Sequence, residues 1–516
     1  PTASNTDYPA VNIINGTVTE NVFGGGLGLT ATVTGNPHIT IGDNVESHTA
    51  AIKWSVYGGG SLATVDGSTY IVVNKGTIGT PKDGETVYGG AKYGNIYGGG
   101  FGSSDNVRIG LVKGNTNVTI NGGDILHNIY GGGAYGSVGT YTYKTNDANA
   151  VIDTHTENTG KATIKIKGGT IGVDGHNNGM VFGSSRGDID AIGAIQDNMA
   201  WVYDTDVQVG IQNDQTSGPT IHGSLYGGGE NGHVFNDASV TMYSGTVGDM
   251  DEYYAYRGNV YGGGCGTDLY YSGEVPVGHS KHDGEGDKYN PKAGIVHHNA
   301  TVLIKGGSIA NNVYGAGSMG RVEGSTSVTI DTNGAIGVDG NHDDGNVYGA
   351  ARGELNLKEN NHIRTEDNPD DFSSVMHSSV EIKKGTVKGN VFGGGKAGIV
   401  KGNVDVKVRG GVIINDVYGG GALANTNTAN WSTSTSATTY EEVTGLTVGT
   451  TSVAGYYTRS GEEGSYVYTL VTTGTAASET TYWRKKVSGT WDEGKNDSST
   501  GTAPLPYVNW QRPGQT

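Results

Sequence analysis

Short runs of alternating apolar and polar residues return along most of the chain, each closed by glycine. The clearest are NVTINGG at 117–123, ATIKIKGG at 162–169, TVLIKGG at 301–307, SVEIKKG at 379–385 and DVKVRGG at 405–411. A period of two with β-branched residues on one side is strand chemistry, and the closing glycines mark turns. A second short strand follows, as at 170–172 and 308–310. Then comes a fixed phrase: an aliphatic residue, an aromatic one, Gly, and two more small residues. Apolar spacing at 3.6 residues is almost absent, so the pattern predicts an all-β chain.

The phrase occurs at twelve aromatics: Phe23, Tyr57, Tyr88, Tyr97, Tyr130, Phe182, Tyr226, Tyr261, Tyr314, Tyr348, Phe392 and Tyr418. Val, Ile or Leu precedes each of them. Gly follows each of them: Gly24, Gly58, Gly89, Gly98, Gly131, Gly183, Gly227, Gly262, Gly315, Gly349, Gly393 and Gly419. A position that accepts only Gly either needs a positive φ or has no room for a side chain. The next two positions also take Ser184, Ser185, Ala316, Ala350 and Ala351, which points to a limit of space.

A unit of strand, turn, strand, turn and strand that returns every few dozen residues predicts a repeat stacked on copies of itself. The expected fold is an elongated β-solenoid, parallel β-helix-like, with equivalent strands about 4.8 Å apart. The aliphatic residue would point into the shared core and the aromatic would alternate outward, into a stacked column. Asn21, Asn95, Asn128, Asn259, Asn312, Asn346 and Asn390 form a second column, suited to side-chain amide bonds along a stack. Phe replaces Tyr at three positions, so the column does not require the hydroxyl.

Three copies share a longer phrase, at 76–94, 169–188 and 334–354, in which the fourth residue after the aromatic is basic: Lys92, Arg186 and Arg352. This reads as an internal duplication. After Gly421 the phrase stops. The chain divides into a repeat region at 1–424, a Ser/Thr/Asn-rich linker at 425–439 and a small Tyr-rich β-module at 440–516. Within that module, 440–461 and 468–489 resemble one another, with a hairpin turn at 460–464.

Composition narrows the function. There are 92 glycines in 516 residues but only 11 prolines and no Gly-X-Y period, which excludes collagen. An apolar share of 34% suits a narrow core shared between repeats better than one large sphere. A net charge of −18 disfavours nucleic-acid binding, which needs clustered Lys and Arg. Cys265 is the single cysteine, so there is no internal disulfide framework. No apolar run is long enough for a transmembrane helix. The chain opens on Pro1 without a leader, which reads as a processed or excised segment.

Candidate chemistry is sparse. Asp188 with Arg186, and Glu354 with Arg352, offer the carboxylate and base of a polysaccharide-cleaving site. Solvated loop charges or salt bridges are the plainer account of them, and a duplicated pair argues against a unique active centre. The acidic stretches 174–178, 339–344 and 367–371 are rich in oxygen ligands. Asp174, Asp339, Asp343 and Asp344 are candidate Ca²⁺ ligands, although the spacing is neither that of an EF-hand nor of a glycine-rich nonapeptide. Asx turns account for the same composition. His297–His298 and the pair His279 and His282 lack an accompanying Cys or carboxylate frame. No helix follows the glycine-rich strings, so dinucleotide binding is excluded.

The VTIxGG…GNVYGGG pattern resembles the glycine-rich repeats of large secreted or surface proteins of Bacteroidetes-type bacteria. It spans residues 11–421 and leaves the tail uncovered. The resemblance implies an exported, surface-attached or filament-like β-solenoid and brings no catalytic residues with it. The expected function is therefore that of an extracellular bacterial structural or adhesive protein: a surface stalk, adhesin or filament subunit. The alternatives are a polysaccharide-binding or polysaccharide-cleaving β-helix protein and a phage tail fibre or spike. Open sheet ends motivate head-to-tail self-association, and Tyr-rich faces suggest a glycan or host-surface ligand.

Overall fold

The computed structural model describes residues 8–428 except 83–89, 145–151, 177, 189–198, 215–216, 251–256, 267–269, 272–275, 278–289, 339–343 and 355–371. Beyond 428 it describes the strands Tyr440–Glu441, Gly455–Ser460, Val467–Thr472, Tyr482–Lys485 and Trp491–Asp492. Among the described residues there is no α-helix, and the long sheets are parallel. The chain falls into two compact units, Pro1–Thr426 and Asn427–Thr516.

In the first unit each repeat supplies one strand to each of three parallel ladders. The first ladder takes the alternating strands. It runs from Ala10–Ile13 through His38–Ile41, Thr69–Val73, Thr116–Ile120 and Lys161–Ile166. It continues through Asp204–Val209, Ala238–Met242, Ala300–Ile304, Ser325–Ile336 and His377–Val387 to Val404–Val408. The second takes the short pieces after the glycine turn, such as Asp124–Ile125, Thr170–Ile171 and Thr220–Ile221. The third is an eleven-stranded sheet made from the aromatic phrases.

Register is kept from repeat to repeat. Val118 lies opposite Ile71 and Ile164, and Tyr130 opposite Tyr97 and Phe182. The step between equivalent positions is 26 residues from Asn390 to Asp416 but 53 from Asn259 to Asn312. Extra residues leave between strands and do not disturb the pairing.

Alternation sets the core. In Thr116–Ile120, Val118 and Ile120 are buried while Asn117 and Thr119 are half-buried. Ile125 and Ile129 complete that repeat's share of a continuous Val/Ile column. Each such side chain contributes about 1.5–3 kcal/mol on burial, mostly through contacts with the adjacent repeats.

The aromatics differ from the outward placement expected of them. They do leave the Val/Ile column, but they enter a second enclosed column together with Ala134, Met180 and Cys265. Tyr97, Tyr130, Tyr226, Tyr261 and Tyr314 expose no more than 1% of their surface. A further column of single valines packs beyond the glycines. Its members pair as isolated parallel bridges, Val33 to Val65, Val65 to Val112 and Val112 to Val138, then Val234 to Val296 and Val296 to Val322. The Cβ of an alanine at Gly59 would lie 3.0 Å from Val112 Cγ2, so the valines pack closely against the glycine arm.

Among the described residues the ladder has eleven aromatic rungs. Tyr57 pairs directly with Tyr97, and Tyr88 and Gly89 lie outside the described residues. Of the two causes that would exclude a side chain after the aromatic, φ is not the one at work, since no described member of that set has a positive φ. A Cβ on Gly98 would sit 2.2 Å from the Gly131 carbonyl oxygen, and one on Gly131 2.1 Å from that of Gly183. Backbone approach between repeats is what excludes a side chain.

In the second unit, Gly455–Ser460 is antiparallel to Val467–Thr472 and to Tyr482–Lys485. Tyr482–Lys485 also pairs with Trp491–Asp492 and, in parallel, with Tyr440–Glu441.

Candidate functional site

The aromatic column is continuous. Neighbouring rings stack at 4.6 Å for Tyr97 and Tyr130, 5.0 Å for Tyr130 and Phe182, and 4.8 Å for both Tyr314–Tyr348 and Phe392–Tyr418. Gly58, Gly183, Gly227, Gly262, Gly315, Gly349 and Gly393 repeat the close approach to the next glycine carbonyl, save that the nearest atom to Gly393 is Val404 Cγ1. Gly24 meets Gly58 in the same way.

Beside the rings, each Asn side-chain oxygen accepts the backbone N–H at the start of the next phrase. Asn21 accepts from Ser55 (3.0 Å), Asn128 from Met180 (2.9 Å) and Asn312 from Asn346 (2.8 Å). Amide-to-amide bonds are added toward the end of the column, Asn346 to Asn312 (3.2 Å) and Asn390 to Asn346 (3.0 Å). Ser55 and Ser224 take the same position and accept with Oγ.

The last rung of the first unit differs from those below it. Val408, Val412, Ile414, Val417, Tyr418 and Leu423 expose between 44% and 60% of their surface. Nothing lies within 4 Å of where a Cβ on Gly419 would be. At the other end Leu27 and Leu29 are exposed. These two ends are the largest concentrations of exposed apolar side chains in the described repeats.

A buried carboxylate sits inside the aromatic column. Glu230 is fully buried and accepts a hydrogen bond from the Tyr130 hydroxyl. Arg186, one repeat away, places Nε 3.9 Å from Glu230 Oε1. Burial pushes the Tyr97 hydroxyl up to about 12, against the partial opposing pull of Arg186. Tyr57 and Tyr130 are raised further, again chiefly by burial. Arg186 thus meets a carboxylate that spacing along the chain did not suggest. Its signal was the one acidic residue at the fourth position after the aromatic, where other copies carry small, apolar or basic residues.

The remaining candidates scatter. Asp188 is half-buried near Arg186, and Glu354 is exposed. Lys92 follows Tyr88, and its side chain lies outside the described residues. Asp339, Asp343, His279, His282 and the cluster 367–371 are also outside them. Asp344 is buried, and its Oδ2 accepts from the Val338 N–H at 2.7 Å. In the related copy Asn178 does the same for Val173 at 2.7 Å. A neutral amide and a carboxylate share one loop-closing task. Asp174 comes to neither group but to His222 and Asp249 from the next two repeats.

His297 and His298 do have carboxylate partners, supplied by other repeats. Glu323 lies 2.8 Å from His297 and Asp237 2.6 Å from His298. Glu323 is half-buried, which alone would raise its carboxyl; hydrogen bonds and charge from His297 and Arg321 overcome this and hold it down at about 2. Beside it a surface cavity of about 430 Å³ is lined by Lys292, Arg321, Lys401, Glu323, Val375 and Met376, among others. Three cations against one carboxylate invert the sign of the chain's net charge locally.

No family model, no curated protein and no solved structure matches this chain.

Proposed function

We propose that residues 1–424 form a β-solenoid with a structural role, as a stalk, adhesin or filament subunit at a bacterial surface, extended by head-to-tail stacking of copies. The reading requires no catalysis. Gly419 is the observation that carries it. At internal rungs from Gly24 to Gly349 the equivalent glycine is demanded by the carbonyl of the next rung. At Gly419 no neighbour demands it, yet glycine stands there. A further rung laid on Val417–Tyr418 gives Gly419 the same neighbour as the others. The first phrase of a second copy, Val22–Phe23, supplies such a rung. The exposed apolar residues of both ends favour the same contact, because an unpaired apolar strand edge is a template for pairing.

Sedimentation and negative-stain microscopy over a range of concentrations test this. Rods that lengthen with concentration are expected. Gly419→Ala should abolish lengthening while leaving the melting temperature of the single copy unchanged. A chain that stays monomeric at every concentration would sink the proposal. So would a closed trimer, which favours a fibre or spike, or cleavage of an acidic polysaccharide.

A second reading, polysaccharide binding, is favoured by the cationic cavity at Lys292, Arg321 and Lys401. It calls for salt-sensitive binding of acidic polysaccharide that Lys401→Glu weakens. Equal binding by that variant removes it.

A further inference from the structure

Three successive repeats bring Asp174, His222 and Asp249 to one corner of the first unit. Asp174 follows the strand Thr170–Ile171, His222 follows Thr220–Ile221 directly, and Asp249 follows Thr246–Val247. Those strands pair in register, Ile171 with Ile221 and Ile221 with Val247, so the chain leaves the sheet at the same place three times. His222 Nδ1 lies 2.7 Å from Asp249 Oδ1 and 3.9 Å from Asp174 Oδ1. One ligand atom from each residue lies within 4.8 Å of the others. The Asp174 side chain is 79% exposed and the other two 14%, so the cluster opens to solvent on one side.

The separations suit a small cation. Bonds of 2.0–2.1 Å in a tetrahedral site place ligand atoms about 3.3 Å apart. The two His222 distances lie on either side of that value, and the exposed Asp174 side chain is free to take up the difference. One imidazole nitrogen and two carboxylate oxygens are the donors of a zinc-like ion. Calcium takes six to eight oxygens, which this corner does not offer.

Arg257 fixes the arrangement from behind. It is 1% exposed, with Nη2 2.8 Å from Asp249 Oδ2, and Nη1 donates to the His176 carbonyl at 2.9 Å. This leaves Asp249 Oδ1 turned toward His222, the orienting job of an outer-shell partner. With His222 neutral, the two carboxylates and Arg257 sum to one negative charge, which a dication overcompensates by one.

We propose that Asp174, His222 and Asp249 form a divalent transition-metal site, best matched to Zn²⁺, that clips three consecutive repeats together. The competing account is a His222–Asp249–Arg257 ion-pair network that takes no metal.

The test uses the full chain, stripped with a chelator and titrated with Zn²⁺ against a competing indicator. Asp174→Asn is the deciding variant, because its exposed side chain can be changed without disturbing the fold. His222→Asn is the second, and His298→Asn, in the separate pair with Asp237, is the control. One tight equivalent is expected in the wild type. It should be weakened at least tenfold in Asp174→Asn and His222→Asn and kept in His298→Asn. Zn²⁺ should raise the melting temperature of the wild type and not that of Asp174→Asn, and Ca²⁺ should not displace it. Wild-type affinity in Asp174→Asn, or no tight equivalent in the wild type, overturns the site.

Discussion

Among single residues, the glycine after each aromatic carries the sharpest constraint. It is a matter of distance, because the next repeat's carbonyl oxygen occupies the space of a Cβ. Gly131→Ala forces backbone apart in the middle of the stack and should cost about 3 kcal/mol or more, by analogy with overpacked cores. Gly419→Ala removes no such space and should leave the single copy's chemical denaturation midpoint in place. Equal destabilisation by the two changes would refute the distance argument. The sequence alone narrowed the cause to two, positive φ or crowding, and crowding is the one observed. Crowding depends on which atoms the neighbouring repeat presents, and that is not written in the local string.

Within elements, alternation made the first strand of each repeat legible, and its inward residues are those the period of two selects. The fate of the aromatics was not legible. A two-residue strand sends Val one way and Tyr the other, but whether the second direction ends in water depends on what lies beyond. Here it ends in an enclosed column with Ala134, Met180 and Cys265. The valine column had a trace in the chain: a lone Val two or three residues before the Gly or His that precedes the alternating strand, as in LVKGN at 111–115 and IVKGN at 399–403. It was too short to read as a strand. Asp174, His222 and Asp249 were illegible for a related reason, since their proximity follows from repeat lengths and not from spacing.

Burial of the ladder also sets its behaviour in alkali. The Tyr97 hydroxyl titrates at about 12 in the folded chain against 10.0 when free. A raised folded value means the contribution is fully present below pH 10 and is lost as the pH rises toward 12. Each such tyrosine removes about 1.4 kcal/mol per pH unit across that window. The melting temperature should therefore fall steeply above pH 10, and less steeply in Tyr97→Phe. A wild-type minus Tyr97→Phe difference spectrum that shows phenolate at pH 10 with the fold intact would contradict this.

For the whole molecule, the parallel ladders of Ala10–Tyr418 pair each repeat with its two neighbours, and only a few side-chain contacts, such as Tyr130 to Glu230, reach one repeat further. Stability is then approximately a sum of local terms. Removing the last rung, 404–426, should leave the remaining repeats folded, with a loss of melting cooperativity no larger than one rung's share. Collapse of the whole unit on that deletion would show longer-range coupling than the strand pairing contains.

The unequal spacing between rungs has a mechanical consequence. A stack pulled from its ends gives way at one junction at a time, and each release pays out the chain stored between two rungs. That length varies from 26 residues, Asn390 to Asp416, to 53, Asn259 to Asn312. At about 3.4 Å per residue, the shortest and longest releases differ roughly twofold. A force–extension trace of this protein should therefore carry an uneven sawtooth that reports, peak by peak, which rung has just let go.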